Sequence, residues 1–458
     1  MSRRRGAALA VALVLTTGLA ACSPGDGGST AVPPADALGK AGGLTRISFW
    51  HEMNGTNAKV LTQLVNQFNA EHRGSIEVDP TYIGTYDDAI TKYKASVMSN
   101  STPNVVQIYD IGTRFMVDAG QTVPVQGFVD RDRYDVSDLQ PNITGYYTVG
   151  GKLASMPFNT SMPVLYYNKT MFEKAGLDPN RPPTTLEEMT AAAQKLSARN
   201  GGPAKYGFGA AIYGWFLEQL LATAGDTYCD QGNGRDGLAS KAEFDQPDAV
   251  TVMTWWQELV QQGLAANTGR DTKAAQNAFT SQQVAMNLES TGTLSAYSKA
   301  AKSGGFDLGV AFYPKIRAGQ GGPAIGGASL WVDGPGHDDA EKEASWQFVK
   351  YLASSTIQAQ WHTGTGYFPI SKGALQEPVD VAYRQKNPLF DVAVKQLEQT
   401  PLSVASRGCA LGVMPQSRKA SEDAIEEVLN GSDPKTALSG SVGVIQKAID
   451  RYNRSARL

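Results

Sequence analysis

The chain has 458 residues and a formal net charge of −3, with 41 Lys and Arg against 44 Asp and Glu. A slightly acidic chain is a poor nucleic-acid binder, and no stretch of the body is apolar for long enough to span a bilayer. A body of this length exceeds one compact core, so the sequence predicts two lobes and no nucleic-acid partner.

The N-terminus has the layout of a secretory signal. Three arginines precede an apolar run over residues 7–15, and small residues then lead to Cys22. The ending Leu-Ala-Ala-Cys resembles a bacterial lipobox, in which the cysteine is lipidated. We predict a signal peptide over 1–21, a lipid on Cys22, a flexible tether over 22–44, and a location at the outer face of the cell membrane. The alternative is an ordinary cleaved signal with a chance cysteine.

The body begins by alternating between strand and helix signals. The runs "RISFW", "SIEVDPTYIG" and "NVVQIYD" read as strands, and the two segments between them have a helical apolar period. This alternation predicts a doubly wound, mostly parallel sheet flanked by helices. Ligands of such sheets lie beyond the carboxyl ends of the strands, which makes Tyr86 and Asp110 candidate site residues.

Strand signals return late in the chain, after several amphipathic helices. The runs "FDLGVAFYP" and "ASLWVDG" indicate that the chain crosses between the lobes more than once. We predict an N-terminal lobe over 45–156 plus 306–350, and a C-terminal lobe over 157–305 plus 351–458.

Motifs for catalysis and metal binding are mostly missing. The chain has four histidines, none of them with a second His or a Cys at metal-ligand spacing. The match of "GNGRDG" to G-x-G-x-x-G lies in a polar loop without the required strand and helix. We therefore expect that the protein binds no metal and no cofactor and is not an enzyme. An anchored hydrolase is the less favoured alternative.

Two cysteines follow the N-terminal region, Cys229 and Cys409. Disulfides persist in proteins that leave the cytoplasm, so we predict that the two residues are bonded. Two free buried thiols are the alternative.

Several short stretches combine glycine, hydroxyl and aromatic residues, as a cleft for a small polar ligand would. Seven segments in order give the chain a resemblance to the bacterial extracellular solute-binding family that feeds ATP-driven importers. These segments are "FWHEMNG", "YIGTYD", "PNITGYY", "PFNTSMPVLYYNK", "IGGASLWV", "TGYFPISK" and "LGVMPQSR". The resemblance extends from about Ile47 to the C-terminal helix, and it is greatest to members that bind glycerol-3-phosphate.

The resemblance implies a two-lobed periplasmic-binding fold that closes over its ligand, acts as a monomer and docks on a membrane permease. It implies that the ligand is a small phosphorylated glycerol, with Arg418 as the cation facing the phosphate. The other implied site residues are Tyr86, Asp110, Ser161, Ser290 and Tyr367 as polar groups, Gly327 as a backbone contact, and Trp215 as an apolar wall. An exposed arginine at a helix start is the alternative reading of Arg418.

Two departures from the glycerol-phosphate pattern bear on specificity. Asp110 stands where those members usually have Glu, and Ile212 stands where they have a second tryptophan. A lost indole would leave room, so we hypothesise that a glycerophosphodiester such as glycerophosphocholine binds, with Tyr213 or Trp215 facing the choline. An oligosaccharide ligand on the same fold is the alternative.

Overall fold

The computed structural model describes residues 29–319 and 321–455, which form two large mixed sheets flanked by helices. A small antiparallel sheet pairs Thr148–Val149 with Lys152–Leu153. The predicted signal peptide and Cys22 lie outside the described residues. The helices are Ala37–Ala41, Gly55–Glu71, Tyr86–Met98, Thr113–Ala119, Val125–Asp132, Pro141–Tyr147, Lys169–Lys174, Leu186–Leu196, Gly214–Ala224, Pro247–Gln261, Thr272–Thr280, Leu294–Gly304, Asp339–Ala353, Ser355–Thr365, Pro378–Lys386, Asp391–Gln399, Met414–Leu429 and Pro434–Ser455. Asp230–Gly234 is a short helical turn with left-handed backbone inside it.

The first sheet contains the three strands that the opening alternation predicts. Its strands, in spatial order, are Ile76–Tyr82, Thr45–His51, Val105–Tyr109, Gly326–Asp333 and Thr122–Val123, and Met156–Ser161 also pairs with Gly326–Asp333. The first three strands are mutually parallel, whereas Gly326–Asp333 is antiparallel to each of its neighbours.

The second sheet is likewise mixed. Its strands, in spatial order, are Ala265–Asn267, Tyr206–Ala210, Val284–Ser290, Pro163–Asn168 and Leu308–Phe312. The first three are parallel, and Pro163–Asn168 runs antiparallel to both of its neighbours. The two-lobed α/β prediction is therefore confirmed, but the sheets are not mostly parallel. The antiparallel strands are those that carry the chain away from the interlobe boundary after it has crossed.

Two predicted crossings between the lobes are misplaced. Met156–Ser161 pairs in the first sheet and Pro163–Asn168 in the second, so the crossing lies at Met162 and not before Pro157. Leu308–Phe312 pairs in the second sheet, so the return lies between residues 313 and 325 and not at 306. The segment "VLYYNK" is the fully buried strand that we expected.

The predicted switch at residue 351 is also wrong. The helix Asp339–Ala353 packs on strands Thr45–His51 and Gly326–Asp333, and the next helix, Ser355–Thr365, packs on Gly55–Glu71 of the same lobe. Trp361 belongs to the apolar core of the first sheet. The chain therefore stays in the first lobe well beyond 351.

The described part of the predicted tether is docked rather than flexible. Ala37–Ala41 is helical and packs on Asp339–Ala353. Arg131 donates from Nη1 to the Pro33 carbonyl oxygen at 2.7 Å. Burial of Ala37 and this hydrogen bond hold the segment against the first lobe.

The predicted disulfide is present. Cys229 and Cys409 are bonded with their Cα atoms 6.0 Å apart, and both residues are buried. The bridge joins a loop after Gly214–Ala224 to the segment that leads into Met414–Leu429. It therefore stabilises the start of the helix that carries Arg418.

Candidate ligand-binding site

A cavity of about 260 Å³ lies between the lobes, at the ends of the strands of both sheets. The structure brings all eight residues that the resemblance implies to its wall. They are Tyr86, Asp110, Ser161, Trp215, Ser290, Gly327, Tyr367 and Arg418. Tyr213 also lines the cavity. Ile212 does not, because its side chain is buried in the core, so the extra room that we attributed to it is not on the cavity wall.

The first lobe supplies its residues from strand ends, as doubly wound sheets do. Asp110 begins a short 3₁₀ turn directly after Val105–Tyr109, and Ser161 ends Met156–Ser161. Tyr86 begins a helix because Thr85 and Asp88 form a capping box, with Asp88 N donating to Thr85 Oγ1 at 3.3 Å. Local sequence signals therefore hold these side chains at one edge of the sheet.

The hydroxyl groups of the cavity are held by a hydrogen-bond network. Asn159 donates from Nδ2 to Tyr86 Oη at 3.0 Å. Gln107 fixes that amide by donating to Asn159 Oδ1 at 2.6 Å. Ser290 Oγ accepts from Gly292 N at 3.1 Å, so its hydroxyl proton can still be donated. Burial raises the pKa of Tyr86 and Tyr367, which keeps both phenols protonated.

The backbone at Gly327 approaches the cavity in a conformation that suits only glycine. Its φ is +97°, in the left-handed region, and a Cβ there would collide with the Asn159 carbonyl oxygen. The glycine thus lets the strand Gly326–Asp333 pass close to Met156–Ser161 where both meet the cavity.

Arg418, the cation that the resemblance places facing the phosphate, is buried and already paired with two carboxylates. Its Nη2 donates to Glu218 Oε2 at 2.7 Å and to Asp110 Oδ2 at 3.2 Å, and Nε also donates to Glu218. Burial disfavours the charged guanidinium, but the two carboxylates outweigh it and raise the pKa of Arg418 well above its usual value. Because Asp110 lies in the first lobe and Glu218 in the second, this ion pair joins the lobes.

A second contact joins the lobes at the cavity. Asn57, in the first lobe, donates from Nδ2 to the Gly292 carbonyl oxygen at 3.3 Å. The apolar core also continues from one lobe into the other. Ile108 of the first sheet and Trp215 of the second lobe belong to the same cluster of buried residues. The lobes therefore touch directly around the cavity.

Sequence reasoning missed four charged residues of this site. Glu52, Lys273 and Glu289 line the cavity, and Glu218 lies behind Arg418. The signal for Glu218 was its place as the one charged residue of the mostly apolar helix Gly214–Ala224, where a buried carboxylate favours a cation beside it. Burial raises the pKa of Asp110, Glu218 and Glu289, with Arg418 opposing the shift at the first two.

Two mixed α/β lobes around one polar interlobe cavity define a protein that captures a small solute. The chain belongs to the bacterial extracellular solute-binding protein family, whose sequence model matches residues 63–390. It is accordingly a solute-binding component of ABC import and not an enzyme.

No helix within residues 29–319 and 321–455 is long and apolar enough to cross a membrane. The same residues contain no group of His, Cys, Asp or Glu placed to hold a metal ion.

Curated relatives include the sn-glycerol-3-phosphate-binding periplasmic protein UgpB. The Escherichia coli K12 protein is 33% identical over 429 residues, covering 92% of this chain and 96% of the relative. That of Pectobacterium atrosepticum is 34% identical over 434 residues, with the same coverage.

Solved structures show the same fold at lower identity. Mycobacterium tuberculosis UgpB in complex with glycerophosphocholine gives a TM-score of 0.76 at 23% identity, covering 89% of this chain and 99% of that one. The acarbose-binding GacH receptor of Streptomyces glaucescens gives 0.74 at 22%, covering 88% and 98%.

Proposed function

We propose that this protein captures a glycerol-3-phosphate unit, as the free monoester or as one half of a diester, and delivers it to an ABC permease. The observation that carries the proposal is the convergence of all eight implied residues on one interlobe cavity. The relatives named for sn-glycerol-3-phosphate, at 33% and 34% identity over most of both chains, support it. We propose a monomer, because one chain supplies both walls of the cavity.

Neutral donors would hold the phosphate in this proposal. The phenols of Tyr86 and Tyr367 and the hydroxyls of Ser161 and Ser290 all line the cavity, and several such donors together can replace the water around an anion. Trp215 adds a buried indole N–H that has no acceptor among the described residues. Arg418 and Asp110, which already pair with each other, would meet the glycerol hydroxyls as donor and acceptor.

The charge balance of the wall favours a diester over the monoester. Three carboxyl groups whose pKa is raised by burial line the cavity, Glu52, Asp110 and Glu289, against two cations, Lys273 and Arg418. A phosphate monoester brings a charge of about −1.5 to −2 at neutral pH, whereas a diester lacks the second ionisation and brings about −1. The diester, which carries the smaller negative charge, is therefore repelled less by the acidic groups of this buried cavity.

Cavity size separates this proposal from the oligosaccharide alternative. At about 260 Å³, the cavity lies below the range of roughly 300–1,000 Å³ that drug-sized ligands occupy. A glycerol phosphate ester suits that volume better than a chain of sugar rings.

Calorimetric titration tests the proposal directly. We expect glycerol-3-phosphate and glycerophosphocholine to bind with 1:1 stoichiometry, the diester about tenfold tighter because of its smaller charge, and maltotriose not to bind. A preference for the monoester above about tenfold would contradict the diester part alone. Binding of maltotriose with no response to either phosphate would overturn the whole proposal.

We also propose that a lipid on Cys22 holds the protein at the outer face of the membrane. The support is the signal-like segment that ends at this cysteine, which lies outside the described residues. Wild-type cells fed labelled palmitate should yield labelled protein in the membrane fraction. Cys22→Ser should lose the label and leave the anchored fraction, with Cys229→Ser retaining the label as the matched control. A labelled Cys22→Ser protein would contradict the anchor.

A further inference from the structure

Glu52 is a buried carboxylate of the cavity that has no hydrogen-bond donor among the described residues. It directly follows strand Thr45–His51, its residue is 4% exposed, and neither Oε1 nor Oε2 has a partner. Its side chain lines the cavity. Burial raises the pKa of Glu52 well above its usual value, so a cationic donor bound beside it would favour the ionised carboxylate.

The position of Glu52 is fixed by a chain of hydrogen bonds that leads to the phenols. Glu52 N donates to Gln107 Oε1 at 3.0 Å, Gln107 donates to Asn159, and Asn159 donates to Tyr86 Oη. Glu52 lines the same cavity as Tyr86 and Tyr367. The hydrogen-bond chain therefore ties the backbone of Glu52 to a phenol that we propose as a phosphate donor.

A second carboxylate reaches the cavity from the other lobe, but it is already satisfied. Glu289 Oε1 accepts from Ser290 N at 2.7 Å, and Oε2 accepts from Gln276 Nε2 at 3.0 Å. Lys273 donates to the same glutamine at 3.0 Å and so lies near Glu289. Glu52, in contrast, forms no ion pair with the described residues. Of these two glutamates on the cavity wall, Glu52 is therefore the one without a hydrogen-bond donor among the described residues.

Arg418 belongs to a different part of the wall. Its guanidinium lies 5.7 Å from the centre of the Tyr213 ring and pairs with Asp110 and Glu218. The cavity wall thus presents Arg418, the phenols and serines, and Glu52. A phosphodiester has two arms, so its phosphate can meet the neutral donors while one arm meets Arg418 and the other meets Glu52.

We propose that Glu52 binds a protonated primary amine on the second ester arm, so that the preferred ligand is a glycerophosphodiester of the glycerophosphoethanolamine type. This inference rests on the proposed function and names the substrate class of the same cavity. A primary ammonium has three N–H donors and can satisfy both free oxygens of Glu52 at once. A quaternary ammonium has none, so choline would bring charge but no hydrogen bond.

Titration with four ligands tests the amine site. The ligands are glycerophosphoethanolamine, glycerophosphocholine, glycerophosphoglycerol and glycerol-3-phosphate. We expect the wild-type protein to bind the ethanolamine diester about tenfold to a hundredfold tighter than the glycerol diester, whose second arm is neutral. Glu52→Gln, which keeps the shape and removes the charge, should abolish that preference and leave affinity for the glycerol diester within about threefold.

Glu187→Gln is the matched control, because Glu187 is exposed on helix Leu186–Leu196 and the substitution changes the net charge equally. It should keep the wild-type preference. Thermal melting should find Glu52→Gln at least as stable as the wild type, and Glu52→Ala provides a second test if it is not. Equal affinity for the three diesters would overturn the amine site while leaving the proposed function intact. Absence of binding by all four ligands would overturn both.

Discussion

Arg418→Ala is expected to abolish measurable binding of glycerol phosphate esters and to destabilise the protein by about 3–5 kcal/mol. The guanidinium is buried between Asp110 and Glu218, so its removal leaves two buried carboxylates without a cation. It also removes the ion pair that joins the lobes at the cavity. We expect affinity to fall at least about a hundredfold in calorimetry, and the loss of stability to be measurable by urea denaturation.

Two further variants separate charge removal from loss of the ligand contact. A triple variant, Arg418→Met with Glu218→Gln and Asp110→Asn, removes the uncompensated charges, so it should recover most of the lost stability without recovering binding. Arg270→Ala is the control, because Arg270 also pairs with two carboxylates but is 31% exposed. Exposed ion pairs contribute about 0–1 kcal/mol, so this variant should resemble the wild type. Unchanged affinity in Arg418→Ala would contradict the assigned contact.

The stability of Arg418→Ala should also depend on pH in a definite direction. Burial raises the pKa of Asp110 and Glu218, and Arg418 opposes that shift in the wild type. Without the arginine, the native carboxyls retain protons that the unfolded chain releases above pH of about 4. The native state then binds more protons than the unfolded state, so stability falls as pH rises. The stability difference from wild type should therefore be larger at pH 8 than at pH 5.

Local sequence signals predicted the fold where the chain is regular. The alternation over the first three strands identified one edge of the first sheet correctly, because each strand there is followed by its own amphipathic helix. The prediction of the lobe boundaries was wrong where no local sequence signal marks them. Ser161 and Pro163 belong to different sheets although one residue separates them, and only strand pairing across the molecule decides that.

The residues of the site likewise fall into those that local sequence signals predict and those that they do not. Asp110 could be predicted from its place after a buried strand, whereas Arg418 and Tyr367 came only from the family resemblance. No periodicity predicts that Glu218, inside an apolar helix, neutralises an arginine 200 positions away. Glu52 was overlooked because its significance is the lack of a partner, which is a property of the packed molecule.

Removing the disulfide with Cys229→Ser and Cys409→Ser is expected to lower the free energy of unfolding by about 2–5 kcal/mol. The bond closes a loop with a sequence separation of 180, so it restricts the unfolded chain strongly. In the native state it is one of several links between the two segments. Asn233 donates to the Val404 carbonyl oxygen at 3.0 Å, and Arg235 donates to the Gly408 carbonyl oxygen at 3.2 Å.

Those links decide what the double variant should retain. Because the hydrogen bonds still hold the segment before Met414–Leu429, Arg418 should keep its position and ligand affinity should change by less than about tenfold. Urea denaturation measures the first effect and calorimetry the second, with the wild type under reducing conditions as the matched comparison. An unchanged free energy of unfolding would contradict a stabilising role for the bond. A loss of binding as large as that of Arg418→Ala would mean that the disulfide, and not the hydrogen bonds, positions the helix.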